Sequence, residues 1–126
     1  VRTEDYLAVE RRDTPAGVTV IAVRGEVDYG SVYKLRTSLA DALRLDQVRL
    51  AFDVSGMLFC DSSGVGFFID AHTRTRERGG WARLAGMSPE VYSVFRMLNL
   101  DRLLVFYDTL DAALTDVDGG AAARTR

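Results

Sequence analysis

Cysteine and histidine each occur once in the 126 residues, as Cys60 and His72, and proline occurs only twice. A single thiol excludes an intramolecular disulfide and leaves no sign of an oxidising compartment, so the cytoplasm is the expected setting. One thiol with one imidazole also rules out the Cys/His cages of structural zinc, and neither a metal nor a cofactor is expected. A dominant charge is missing too, since 16 basic residues nearly cancel 18 acidic ones and leave a net −2. Neither nucleic acid nor an anionic membrane surface is therefore an expected partner. Charged residues cut every apolar run well short of the ~18 residues a membrane span needs. Val1-Arg2-Thr3-Glu4-Asp5 lacks the basic-then-apolar order of a signal peptide. What remains is ordinary: 48% hydrophobic and 27% charged residues fit one soluble α/β-sized domain with a real core.

Residues 6–12 alternate weakly, and Asp13-Thr14-Pro15-Ala16-Gly17 then reads as a hairpin-type turn. The β-branched run over 18–23 is the returning strand, and polarity changes at Gly25-Glu26-Val27-Asp28, where a loop is expected. With Asp28 or Ser31 as N-cap, Val32, Leu35, Leu39 and Leu43 recur at helical spacing. Val48, Leu50, Phe52 and Val54 alternate with Arg49, Ala51 and Asp53, the period of a strand. Ser55-Gly56 is expected to end it. Asp61-Ser62-Ser63-Gly64 offers oxygens to cap a second helix with Val65, Phe68, Ile69 and His72 on its apolar face, running out at Gly79-Gly80. Phe67 lies off that stripe, and its surroundings stay open. Trp81 opens a fourth strand, where core is the expected place for it. Ser88-Pro89 starts a third helix with a stripe of Val91, Phe95 and Leu98. Residues 103–107 form a last strand, and Asp108 caps a helix carrying Leu110, Ala113, Leu114 and Val117. The expected fold class is α/β: a mixed sheet of about five strands with about four α-helices and an N-terminal β-hairpin. Residues 1–118 make one domain, and 119–126 are expected to be a disordered tail.

Little of this can do chemistry. A hydrolase elbow needs glycines two residues before and after its serine, and around Ser62 the first of these is Cys60. His72 sits ten residues along the same predicted helix, about 15 Å away at ~1.5 Å per residue, so Ser62 has no general base. There is no Gly-x-x-x-x-Gly-Lys or Gly-x-Gly-x-x-Gly loop, and the only lysine, Lys34, lies within a predicted helix. Glu26 and Asp28 resemble a solvated turn and a helix cap more than an acid/base pair. No catalytic residue is expected. Lone Cys60 reads as a small buried hydrophobe, His72 as a packed residue, and Arg74, Arg76 and Arg78 as a solvated surface.

A serine at an exposed helix N-terminus can, however, accept a phosphate, whose charge the unpaired amides and helix dipole favour. It would add roughly −1.5 to −2 charges beside Asp61. Each unit repulsion from an acidic partner group ~4 Å away costs ~4 kcal/mol at a surface-like dielectric, about a thousandfold in affinity. On spacing alone, a plain cap is the commoner use of such a stretch.

Gly25-Glu26-Val27-Asp28, Phe52-Asp53-Val54-Ser55-Gly56 and Phe59-Cys60-Asp61-Ser62-Ser63-Gly64-Val65-Gly66 occur in order, followed by Arg78-Gly79-Gly80, Ser88-Pro89 and Leu98-Asn99-Leu100-Asp101. Over residues 6–117 the chain resembles the STAS domain of bacterial anti-sigma factor antagonists. Cys60, where the family has a larger apolar residue, and Tyr29-Gly30 at the first helix depart from its pattern. The resemblance implies a STAS fold and a switch protein, not an enzyme. Such a protein binds an anti-sigma factor serine kinase, releases a sigma factor, is phosphorylated by that kinase, and is reset by a serine phosphatase. It implies Ser62 as phosphoacceptor, with Glu26, Asp28, Asp61, Ser62, Ser63 and Gly64 on the partner-binding face. The expected state is a monomer or weak dimer. The alternative is a STAS scaffold subunit of a signalling assembly or an accessory subunit of a membrane transport complex.

Overall fold

The computed structural model describes residues 6–116. The N-terminal pentapeptide, Val117 of the expected last helix and the expected 119–126 tail lie outside the described residues. Strand β1 (Leu7–Asp13) turns back through residues 14–17 into β2 (Thr19–Val27) as an antiparallel hairpin. Gly17 carries the positive φ of 81° that the turn needs, and the Thr14 hydroxyl donates to Val18 O at 2.7 Å. Three strand–helix–strand units follow: α1 (Tyr33–Arg44) leads to β3 (Arg49–Cys60), α2 (Ser62–Glu77) to β4 (Trp81–Ala85), and α3 (Pro89–Met97) to β5 (Val105–Tyr107). A short α4 (Leu110–Thr115) closes the described chain. The strands lie in sequence order, with every pair after the first parallel, so the expected mixed sheet of five strands and four helices is present.

Alternation along the strands sorts the side chains into two layers. Ile21, Val23, Leu50, Phe52, Val54, Ala82, Leu84 and Phe106 meet α1, α2 and α3 on one face. Ala85 and Tyr107 point the other way and pack on Ala113 of α4. A chain of edge-to-face rings crosses the main layer, with Phe52 5.7 Å from Phe67 and 5.4 Å from Phe68, and Phe106 5.8 Å from Phe95 and 5.1 Å from Tyr92. Fully burying one such ring contributes roughly 2–3 kcal/mol. Phe67 is thus a core residue, because α2 lies across the central strands and buries neighbouring faces.

Several local expectations change. β2 does not end at the polarity change but continues through Gly25 and Glu26 to Val27, paired with β3 throughout. Ser55-Gly56 does not end β3 either: Asp53 stands opposite Ala22 and Gly56 opposite Arg24, so the extra residue is absorbed as a bulge. α1 begins at Tyr33 behind Val32, with no side-chain cap, because Asp28 and Ser31 are occupied in the preceding turn. Thr109, not Asp108, caps α4 through Ala112 N. β5 is shorter than expected, and Leu98 is exposed while Tyr92 takes its place in the α3 stripe. Trp81 is half-buried, with the Arg83 guanidinium stacked 3.6 Å over its ring.

Candidate functional site

The parallel strands β2 and β3 end side by side, with Val27 opposite Cys60. Asp61 N donates to Val27 O at 3.0 Å, which carries the chain straight from strand into helix. Asp61 has the extended backbone of an N-cap (φ −92°, ψ −170°). Its Oδ1 accepts from Ser63 N at 2.8 Å and Gly64 N at 3.3 Å, satisfying amides that the first helical turn cannot pair internally. Its Oδ2 accepts from Tyr29 N at 3.2 Å, so the same carboxylate ties the β2–α1 loop to the start of α2.

That loop is closed from within. Asp28 Oδ1 accepts from Gly30 N at 3.0 Å and Ser31 N at 3.1 Å, and Tyr6 donates its hydroxyl to Asp28 Oδ2 at 2.5 Å. Ser31 Oγ accepts from Asp28 N at 3.0 Å and donates to Glu26 O at 2.8 Å. Asp28 and Asp61 therefore hold backbone in place, and Ser31 is a positioning residue whose role the sequence did not reveal. The sequence pointed to it only as an alternative N-cap for α1.

The remaining candidates fall at the same end of the sheet. Ser62 is exposed at the first position of α2, Ser63 is half-buried, and Gly64 is buried. Glu26 is half-buried opposite Phe59. Gly64 sits where a Cβ would lie 2.5 Å from Cys60 Sγ and 2.7 Å from Val27 Cγ1, so the helix start approaches the strand ends more closely than any larger residue permits. Cys60 is buried, and its thiol is pushed up to about 12 by burial and by the neighbouring Asp61 charge. It is an inert packing residue, as expected from sequence. His72 is also buried, with its Nδ1 lacking a hydrogen-bond partner among the described residues. Burial, aided by the Arg76 charge, lowers its pKa below the usual 6.5. Because α2 is continuous from Ser62 past His72, the two are separated by about 15 Å of helix. The Ser62 hydroxyl is therefore exposed and His72 is out of its reach.

Of the arginines, Arg74 pairs with Asp70 at 3.6 Å, and Arg78 reaches Leu43 O at 3.0 Å and Asp46 at 3.4 Å. Among the described residues, no three histidine, cysteine, aspartate or glutamate side chains converge as metal ligands, and no helix is long and apolar enough to cross a membrane. Tyr29, Leu58 and Phe59, on the segments that lead into or bond to the start of α2, are exposed, which no sequence pattern foretold.

A family model described as the STAS domain matches residues 7–113. An anti-sigma F factor antagonist of Paenibacillus polymyxa is 24% identical over 103 residues, covering 81% of this chain and 88% of that protein. The crystal structure of an anti-sigma factor antagonist from Mycobacterium paratuberculosis superposes with a TM-score of 0.81 at 24% identity, covering 94% of this chain and 99% of the other. The phosphorylated form of SpoIIAA, a Bacillus cell fate determinant, superposes with a TM-score of 0.69 at 23% identity, covering 87% and 99% of the two chains. These likenesses establish a shared fold.

Proposed function

The chain belongs to the STAS domain family, and from that premise we propose that it is an anti-sigma factor antagonist switched by phosphorylation of Ser62. In this reading it works in the cytoplasm, binding an anti-sigma factor that is a serine kinase and so freeing a sigma factor. The kinase transfers the γ-phosphoryl group of ATP to Ser62 Oγ, with ADP and the hydroxyl proton leaving. A serine phosphatase hydrolyses the ester and restores binding.

The observation that carries the reading is the contrast between Ser62 and its surroundings. Ser62 is exposed at the first turn of α2, while Asp61 and Asp28 fix the backbone on both sides of it. A hydroxyl held on a rigid frame can enter a kinase active centre without local unfolding. The phosphate would add roughly −1.5 to −2 charges at the middle of the contact. A single unit repulsion at ~4 Å corresponds to about a thousandfold loss of affinity. Glu26, Asp28, Ser63 and Gly64 belong to the partner-binding face in this account, Asp28 and Gly64 by shaping it.

The test is binding and phosphorylation by the purified serine-kinase anti-sigma factors encoded in the source genome. Ser62→Ala should bind a cognate kinase and take up no phosphate, and Ser62→Glu should bind it at least a hundredfold more weakly. A Ser62→Glu protein that binds as tightly as wild type would end the switch reading.

A further inference from the structure

The surface beside Ser62 is apolar where a strand end ought to be polar. Gly25 of β2 stands opposite Met57 of β3, and Glu26 opposite Phe59, so Leu58 has no partner and is the extra residue of a second bulge. Bulges re-aim side chains, and this one puts Leu58 into solvent with 75% of its surface exposed. Phe59 follows at 48% exposure, although it continues a strand whose Met57 and Cys60 are buried. The pairing of β4 with β3 stops at Asp53, so no registered strand covers this end from the other side. Tyr29, 86% exposed, donates its backbone N–H to the Asp61 carboxylate, which ties its loop to the start of α2. Three large apolar side chains are thus exposed on the strand end that leads into α2 and on the loop hydrogen-bonded to its N-cap.

We propose that Leu58, Phe59 and Tyr29 are the anchor by which the anti-sigma kinase holds this protein, and that they fit an uncharged, apolar cleft on it. The proposal rests on the reading of Ser62 as that kinase's substrate. Phosphoryl transfer requires Ser62 Oγ within about 3–3.5 Å of its reaction partner. A protein surface that close to Ser62 must cover residues only three or four positions before it and the loop bonded to Asp61. A second copy of this chain is a poor occupant, since it would bring Glu26, Asp28 and Asp61 of two molecules together as like charges. Large aromatic side chains are the residues that most often dominate interface energetics. Their contribution is the same whether or not Ser62 is phosphorylated, so anchor and switch are separable: the anchor sets which kinase is held, and the phosphate sets when it lets go.

The experiment measures steady-state phosphorylation of Ser62 by the purified serine-kinase anti-sigma factors of the source genome with Mg-ATP. It compares wild type with Leu58→Ser and Tyr29→Ser, and follows melting and sedimentation of each protein. Both residues are exposed, so melting should not change. Removing an anchor that binds ground and transition states alike should raise KM about tenfold or more and leave kcat unchanged. KM within about twofold of wild type in both variants overturns the anchor while leaving the switch intact. A fall in kcat at constant KM also overturns it, since the residues would then position the acceptor. A wild-type dimer that the variants convert to monomer assigns the patch to a second copy instead. If no kinase phosphorylates wild type, the reading of Ser62 fails and takes the anchor with it.

Discussion

Gly64 and Gly66 lie two residues apart at the start of α2, on different faces of the helix, and the same substitution should act on them with opposite sign. A Cβ on Gly64 would sit 2.5 Å from Cys60 Sγ and 2.7 Å from Val27 Cγ1, against the roughly 3.5–4.0 Å of a comfortable contact. Val27 is fully buried and stiff at χ1, so it cannot swing away, and helix and strand ends must part. Overpacking of this kind costs about 1–3 kcal/mol, and the better helix propensity of alanine returns about 1 kcal/mol. Gly64→Ala should therefore lose up to about 2 kcal/mol, lowering Tm by up to about 8 °C in a chain of this size. A Cβ on Gly66 meets nothing within 4 Å, so Gly66→Ala should gain about 0.5–1 kcal/mol. Urea and thermal melts followed by circular dichroism measure both. A double-mutant cycle with Cys60→Ala should show Gly64→Ala losing at least about 0.5 kcal/mol less in the truncated background. If Gly64→Ala stabilised the protein as Gly66→Ala does, the close approach of α2 to the strand ends would be refuted.

Two further predictions concern the buried side chains of His72 and Arg83. His72 has a folded-state pKa below its usual 6.5, so the unfolded chain binds the proton more readily. Its contribution to stability is full above about pH 6.5 and is lost as pH falls from there toward the folded pKa. Denaturant melts between pH 7.5 and 5 should show a smaller decline for His72→Gln than for wild type, and parallel declines would count against the assignment. Arg83 is buried, donates from Nη1 to Ala113 O at 2.7 Å and stacks on Trp81, so it fastens α4 to the sheet. Arg83→Ala should cost about 2 kcal/mol and speed hydrogen exchange in α4. Arg83→Lys should not restore protection, because a point charge cannot both stack and reach the carbonyl as the planar fork does. Recovery of wild-type exchange in Arg83→Lys would show that charge alone holds the helix.

The architecture of the site fits the proposed switch, in which the chemistry comes from the partner. Two carboxylates are used as structural acceptors, Asp61 bridging helix and loop and Asp28 closing the loop on itself. The one histidine is turned into the core of the same helix. Ser62 is left as a rigidly presented hydroxyl, which suits a substrate better than a catalyst.

Much of what depends on near neighbours was legible in the sequence, although the caps of α1 and α4 were not. Period-two alternation in β3, the helical stripe of α1, and the N-caps Asp61 and Ser88 follow from side chains a few residues apart, and all are present. The placement of Ser62 at a helix start came from the same local rule, and the buried state of Cys60 and His72 from their apolar neighbours. The tertiary structure decided what depends on a facing strand. Ser55 and Gly56 look like a break, yet β2 alongside supplies the ladder bonds that let β3 run on through two bulges. The same pairing throws Leu58 outward, where alternation alone could not place it. Asp28 reads differently for the same reason: Tyr6 from before β1 reaches it only once the sheet has formed. A one-residue shift between strands reverses which side chains meet solvent, and that shift is set by contacts between segments distant in sequence.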